Sequence, residues 1–153
     1  MGKEEKLVRD PAVVAGIVRG AEVCRLGMAD GSQPYVVPLS FGYDGQHIYL
    51  HCAPRGKKVE ILEKNPCVCL EFEQDIELSK KGGPCSWGYR YRTVVAFGKA
   101  EPVEAPEEKA KALNLIIEHC DATRAGRSFT GEELASVRVY KVALEEATAK
   151  VSP

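Results

Sequence analysis

The chain has 153 residues, 44% of them hydrophobic, which suffices for one domain with its own core and is too short for two of ordinary size. A formal net charge of −1, with no long run of one sign, gives no indication of an electrostatic nucleic-acid surface. No segment offers the roughly 20 consecutive apolar residues of a membrane-spanning helix.

The opening MGKEEKLVRDP lacks the apolar core of a secretory leader, so a cytoplasmic protein is expected, with one domain over 1–153 and a flexible N-terminus at 1–9. Asp10-Pro11 predicts a helix cap and first turn, and Val13, Val14, Ile17 and Val18 form an apolar stripe that Gly20 ends. A strand is predicted over 22–30, with Cys24, Leu26 and Met28 on one face, then a loop through Asp30-Gly31-Ser32. The stretch 34–65 reads as strand, tight turn, strand, and a basic turn opening a helix. On its first strand Tyr35, Val37, Leu39, Phe41 and Tyr43 share a bulky face. Val36, Pro38, Ser40 and Gly42 share a small one. Pro38 cannot donate to a ladder, which suits an edge strand or an interrupted pairing.

Asp44-Gly45 fits a two-residue hairpin turn, and the return strand 46–52 carries His51 near its end. Arg55-Gly56-Lys57-Lys58 then leads into a helix over 57–64. Cations beside a helix N-terminus, with a glycine that lets the backbone approach, make an anion site. A small-faced strand next to a phosphate grip predicts flavin mononucleotide (FMN) or a similar phosphorylated planar ligand. The plainer reading is an ordinary hairpin with a solvated basic turn.

Beyond Asn65-Pro66 the pattern predicts a short strand over 67–73 and a loop over 74–84. A long strand follows over 87–101, apolar on both faces at 93–97. Glu104-Ala105-Pro106 opens a helix with Ala110, Leu113, Ile116 and Ile117 as its stripe. Thr130 and Glu133 form a capping box for a short helix at 131–135, and 137–144 is the last predicted strand. About six strands, mostly meandering, would hide their edges by closing into a small barrel with flanking helices, and a ligand slot between two copies is expected. The cysteines, Cys24, Cys52, Cys67, Cys69, Cys85 and Cys120, contain no Cys-x-x-Cys and no zinc spacing. No metal is expected, and most of them are read as small buried hydrophobes.

The pieces AEVCRLGMAD, PYVVPLSFGY, IYLHCAPRGKKVEIL, NPCVCLEFE, CSWGYRYRTVVAFGKAE and RVYKVALEEATAK, in this order and spacing, resemble the pyridoxamine 5′-phosphate oxidase-like superfamily. Within it they look most like the nitroimidazole-resistance branch. The resemblance spans roughly residues 10–150. Its most specific parts are VVPLSFGY, the H-x-A-x-x-G-K-K turn and W-x-x-R-Y-R-[ST]-V.

The resemblance implies a mainly β, six-stranded split β-barrel (the FMN-binding split barrel) with flanking helices, forming a homodimer that binds FMN at its interface. It implies that Pro38, Leu39, Ser40 and Phe41 line the isoalloxazine. It places His51, Gly56, Lys57 and Lys58 around the ribityl phosphate and nearby ring edge. Trp87, Tyr91, Arg92 and Thr93 fall on the strand that family members direct at the cofactor region, from the second subunit.

In that branch a histidine at the position of His51 lies near the cofactor's reactive face, which implies a catalytic role. The alternative is a strand-end histidine bonding backbone or phosphate. Relatives also bind haem or a deazaflavin. The oxidases proper carry a C-terminal segment for the vitamin substrate, whereas the last strand predicted here lies close to Pro153, which counts against pyridoxamine phosphate oxidation. The expectation is an FMN-dependent oxidoreductase that passes electrons from NAD(P)H or another donor to a small-molecule acceptor such as a nitroaromatic. The alternatives are a non-enzymatic flavin or haem binding or storage protein, or a pyridoxamine phosphate oxidase.

Overall fold

In the computed structural model the described residues are 6–152. Alternation of apolar and polar side chains organises most of the chain into antiparallel strands, in the order β1 (Lys6–Val8), α1 (Pro11–Gly20), β2 (Cys24–Asp30), β3 (Gln33–Leu39), β4 (Gly42–Tyr43), β5 (His47–Cys52), α2 (Lys57–Lys64), β6 (Cys67–Ser79), β7 (Gly88–Lys99), β8 (Glu101–Pro102), α3 (Pro106–Cys120), α4 (Gly131–Ala135), β9 (Arg138–Ala143) and β10 (Glu146–Val151). These form a six-stranded sheet, β1-β10-β7-β6-β2-β3, and a four-stranded sheet, β4-β5-β9-β8. The fold is the mainly β, split-barrel class that the sequence predicts.

The inner faces of both sheets share one core. Leu26, Leu70, Phe72, Val94 and Ala96 come from the larger sheet and Ile48, Leu50, Tyr140 and Val142 from the smaller. Helix α1 closes one side of it through Val14, Ile17 and Val18, with Asp10 capping the helix through a 2.8 Å bond from the Ala12 amide. A second, smaller cluster, Tyr49, Val103, Ala112 and Val139, lies on the far side of β5 and β9, under α3.

Several expectations are corrected. Residues 1–5 of the stretch expected to be flexible lie outside the described residues, while Lys6–Val8 form a strand paired with β10. β10, beyond the last predicted strand, pairs with β7 along Glu146–Val151. The predicted loop over 74–84 begins instead as a continuation of β6, through an irregularity between Gln74 and Glu77 where Asp75 takes φ 54°. The hairpin turn is shifted by one residue: Asp44 N–H bonds to His47 O at 3.3 Å, so Gly45 (φ 97°) and Gln46 are its central pair. Of the cysteines only Cys24 is buried; Cys52 and Cys69 are half-buried, and Cys67, Cys85 and Cys120 are exposed, Cys67 by alternation at the start of β6, Cys85 in a 3-10 turn and Cys120 at the end of α3.

The small face predicted for 36–42 ends at Ser40. The chain leaves the larger sheet after Leu39 and enters the smaller one at Gly42, which is buried against α3. A Cβ at residue 42 would lie 2.8 Å from Ile116 N and 2.8 Å from Leu115 C. Gly42 therefore belongs to a helix–strand contact and not to a ring slot. Gly42→Leu is expected to cost about 3 kcal/mol or more, lowering Tm by roughly 6–12 °C. A wild-type melting curve for this variant would contradict the packing.

The same hairpin carries a pH signature. Burial at Asp44 opposes its ionisation, but bonds from the His47 and Gln46 amides (2.6 and 2.9 Å) and the Tyr49 hydroxyl (3.2 Å) outweigh it, holding the carboxyl below its ordinary 3.8. A folded pKa below the unfolded one means that the stabilisation is complete above the unfolded value and disappears as pH falls through the folded one. Acid unfolding of Asp44→Asn should therefore show less loss of stability below pH 4 than wild type; superimposable pH profiles would rule the contribution out.

Candidate functional site

A tight Gly-basic turn at the end of a strand supplies the first part of the site. β5 ends at Cys52, the chain turns through Ala53–Arg55, and Gly56 takes φ 140° before α2. A Cβ at Gly56 would meet nothing within 4 Å, so conformation and not space demands glycine there. No side chain caps α2, so its first amides remain available to a ligand beside the cations of Arg55, Lys57 and Lys58. Glu60 is the one carboxylate in that first turn. Lys57 Nζ lies 4.4 Å from the Tyr35 ring centroid, tying the turn to β3. Between them is a cavity of about 140 Å³ lined by Tyr35, Cys52, Arg55, Gly56, Lys57 and Lys58.

β3 is an edge strand of the larger sheet, paired among the described residues with β2 alone. Pro38 and Ser40 are exposed on its outer side, with Val36 at 61%. Leu39 is half-buried, and Phe41 is fully buried, its ring 5.1 Å from Phe72 and 4.1 Å from His119. Leu39 can thus offer a ligand its backbone, while Phe41, expected to line the ring, is wholly enclosed in the core. An edge backbone suits a flat hydrogen-bonding ring, and an uncapped helix start with two lysines suits a phosphate. The residues present fit an FMN-like ligand by the chemistry of their donors.

Alternation puts His51 on the other face of β5 from Cys52, opposite Val139 and on the α3 side. It is exposed, and its side chain makes no hydrogen bond among the described residues. Desolvation first, and the Lys58 charge second, lower its pKa from 6.5. Cys52 has its thiol pKa raised by burial, against the opposing charges of Lys58 and Arg138, so it stays protonated near neutrality.

Trp87, Tyr91, Arg92 and Thr93 lie elsewhere. Two strands, β6 and β2, separate β7 from β3, which at ordinary spacing is about 14 Å across the sheet. Trp87 follows a 3-10 turn at Pro84–Ser86 and is 45% exposed, with Lys80 Nζ 5.1 Å from its ring. Tyr91 and Thr93, with Glu73, Ile76 and Tyr89, line a shallow apolar depression of about 330 Å³. Arg92 is 3.7 Å from Asp75, and Arg90 bonds Glu77 at 2.6 Å. Arg25 holds Glu71 and Glu73, at 3.4 and 2.7 Å. One chain therefore brings Gly56, Lys57 and Lys58 to one cavity with Tyr35 of β3, sets Pro38 and Ser40 farther along the same edge of the sheet, and leaves the β7 residues and the His51 ring outside that cavity. Tyr35, Cys52 and Arg55 line the cavity without having been assigned to the ligand beforehand. Arg55 was legible in the basic turn, whereas Tyr35 had only the signature of a core aromatic.

The family profile described as pyridoxamine 5′-phosphate oxidase matches residues 10–151. A solved structure from Bacteroides thetaiotaomicron, described as a 5-nitroimidazole antibiotic resistance protein, is 34% identical. It covers 99% of this chain and 89% of its own, with a TM-score of 0.85. A flavocytochrome of Azotobacter vinelandii shares the fold at 21% identity, covering 96% of this chain and 69% of its own, with a TM-score of 0.83. Among curated proteins, an uncharacterized protein of Rhizobium meliloti is 30% identical over 59 residues, a match of 39% of this chain and 38% of that relative's length. No helix among the described residues is long and apolar enough to cross a membrane. On the profile match across nearly its whole length, the chain belongs to the pyridoxamine 5′-phosphate oxidase family, and its sequence and fold are similar to the Bacteroides protein.

Proposed function

We propose that this protein binds FMN at the interface of a homodimer and acts as an oxidoreductase that delivers electrons to a small acceptor such as a nitroaromatic, with a reduced nicotinamide nucleotide as donor. The observation that carries the reading is the junction of the edge strand β3 with the uncapped start of α2, where Lys57 also reaches Tyr35. When bound, the flavin would supply the redox chemistry. Lys57, Lys58 and the first amides of α2 would hold the phosphate. The outer side of Pro38 and Ser40 would receive the ring.

A second copy is supported by the outer face of the larger sheet and the β6–β7 arm, where Val36, Ile76, Leu78, Tyr89, Val95 and Phe97 are exposed. So large an apolar surface needs a partner. A twofold-related copy would present its β7 residues to this chain's ring site, supplying the Trp87, Tyr91, Arg92 and Thr93 contribution that a single chain leaves across the sheet. The likeness to the flavocytochrome makes haem the competing cofactor.

The visible spectrum of the purified protein, repeated after adding FMN and after adding haem, tests this reading. An FMN-type band that bleaches with reduced nicotinamide is expected. A band that resists bleaching would leave a binding protein, and a Soret band alone would replace the flavin by haem. Lys57→Ala with Lys58→Ala should weaken FMN binding at least tenfold, the scale of lost charge-assisted bonds. Unchanged affinity would move the phosphate elsewhere. A bound phosphate would also offset the Lys58 charge that helps depress the His51 pKa, so FMN should raise that pKa toward 6.5 in an NMR titration. An unaltered titration on loading would separate the phosphate from Lys58.

A further inference from the structure

On the α3 side of β5, away from the phosphate turn, a groove of about 280 Å³ runs between α3 and the segment 127–137. Leu113, Ile116 and Ile117 of α3, the Phe129 ring and Val137 give it apolar walls, while His51, Arg127, Glu133 and Ser136 supply its polar groups, the Glu133 carboxylate being the one paired with Arg127. The segment is fixed from α3. Asn114 Oδ1 accepts from the Gly126 and Arg127 amides at 3.1 and 2.9 Å, and its Nδ2 donates to Arg127 O at 2.9 Å. The Arg127 side chain is held as well. Its Nη2 donates to Glu133, and its Cζ lies 5.1 Å from the Phe129 ring centroid. Glu133 is in turn fixed by accepting from the Thr130 amide at 2.9 Å. The groove is thus assembled before any ligand arrives, which reduces the ordering cost of binding.

Its contents set the ligand's chemistry. Among the described residues Arg127 has Glu133 as its sole ion-pair partner, through Nη2, and a guanidinium has further donors on Nη1 and Nε in a planar fork suited to a carboxylate. The His51 ring, without a hydrogen-bond partner among the described residues, can donate to the same group. The walls ask for an apolar body. An apolar cavity of roughly 150 Å³ accommodates benzene, so this groove has room for one substituted ring and not for a flavin.

We propose that the groove between α3 and residues 127–137 is a second binding site, for a small carboxylic acid with a single-ring apolar body, held by Arg127 and His51. The inference does not rest on the flavin reading, since the two regions lie on opposite faces of β5.

Benzoate is the probe, titrated into the full-length protein as purified while the imidazole resonances are followed by NMR, with the His51 signal assigned through His51→Gln. The expected result is a saturable shift at His51, with benzyl alcohol at least tenfold weaker and Arg127→Gln lowering benzoate affinity by at least the same factor. The acid–alcohol comparison uses wild-type protein alone, so it stands even if Arg127→Gln perturbs the segment. Absence of a saturable His51 shift, equal binding of acid and alcohol, or undiminished benzoate affinity in a folded Arg127→Gln variant would overturn the proposal. Lys57→Ala with Lys58→Ala distinguishes the sites: benzoate binding should persist there. Its loss would place the acid in the phosphate turn and overturn the second site, whatever FMN does.

Discussion

The enclosure of β5 on both faces is the constraint on which the rest of the arrangement depends. Ile48 and Leu50 enter the shared core with Tyr140 and Val142, while Tyr49 packs beneath α3 with Ala112 and Val139. A strand covered on both sides cannot shift register without driving polar groups into one layer or the other. That fixes where the strand ends, and so where the basic turn and His51 must lie. Gly42 on the neighbouring strand completes the constraint, because α3 can approach β4 closely only where there is no side chain. The phosphate turn and the α3 groove are two outcomes of the same packing, one on each face of β5.

Lys58 links them. Its charge helps depress the His51 pKa and also opposes the burial that raises the Cys52 thiol, so it is felt on both sides of the strand. An anion taken up at the turn would change the imidazole behind it with no movement of backbone, since the coupling is Coulombic across a partly screened path.

Much of this was legible in the sequence where the determining residues are neighbours. Asp10-Pro11, the Thr130–Glu133 capping box and the Arg55–Lys58 turn are local devices, and each was readable from a few consecutive residues. The edge position of β3 followed from Pro38. Features set by distant contacts were not readable. Gly42 gives no local sign that α3 will press on it. The extension of β6 to Ser79 was hidden because QDIELS forms an arm with no core beneath it, and Asp75 at φ 54° breaks the alternation. β10 was missed since Glu146–Val151 has too few bulky residues to declare a strand, and it is defined by its pairing with β7. The α3 groove combines β5, α3 and the 127–137 segment, so no window of sequence contains it. His119 contacts Ala21 O at 2.6 Å and lies against Phe41, joining α3 to the end of α1.

The edge strand has a consequence for how the molecule behaves in a crowded solution. β3 is seven residues long, open along one side, and carries an exposed Val36, the kind of margin on which further strands grow into aggregates. Pro34 and Pro38 lie four residues apart on it, and neither has an amide hydrogen. A strand arriving from another molecule would find donors missing at two positions, and its ladder could not propagate through them. A small ring needs only a few backbone contacts and is not hindered in this way. The same two prolines thus let the margin accept a flat ligand while denying it to a growing fibril.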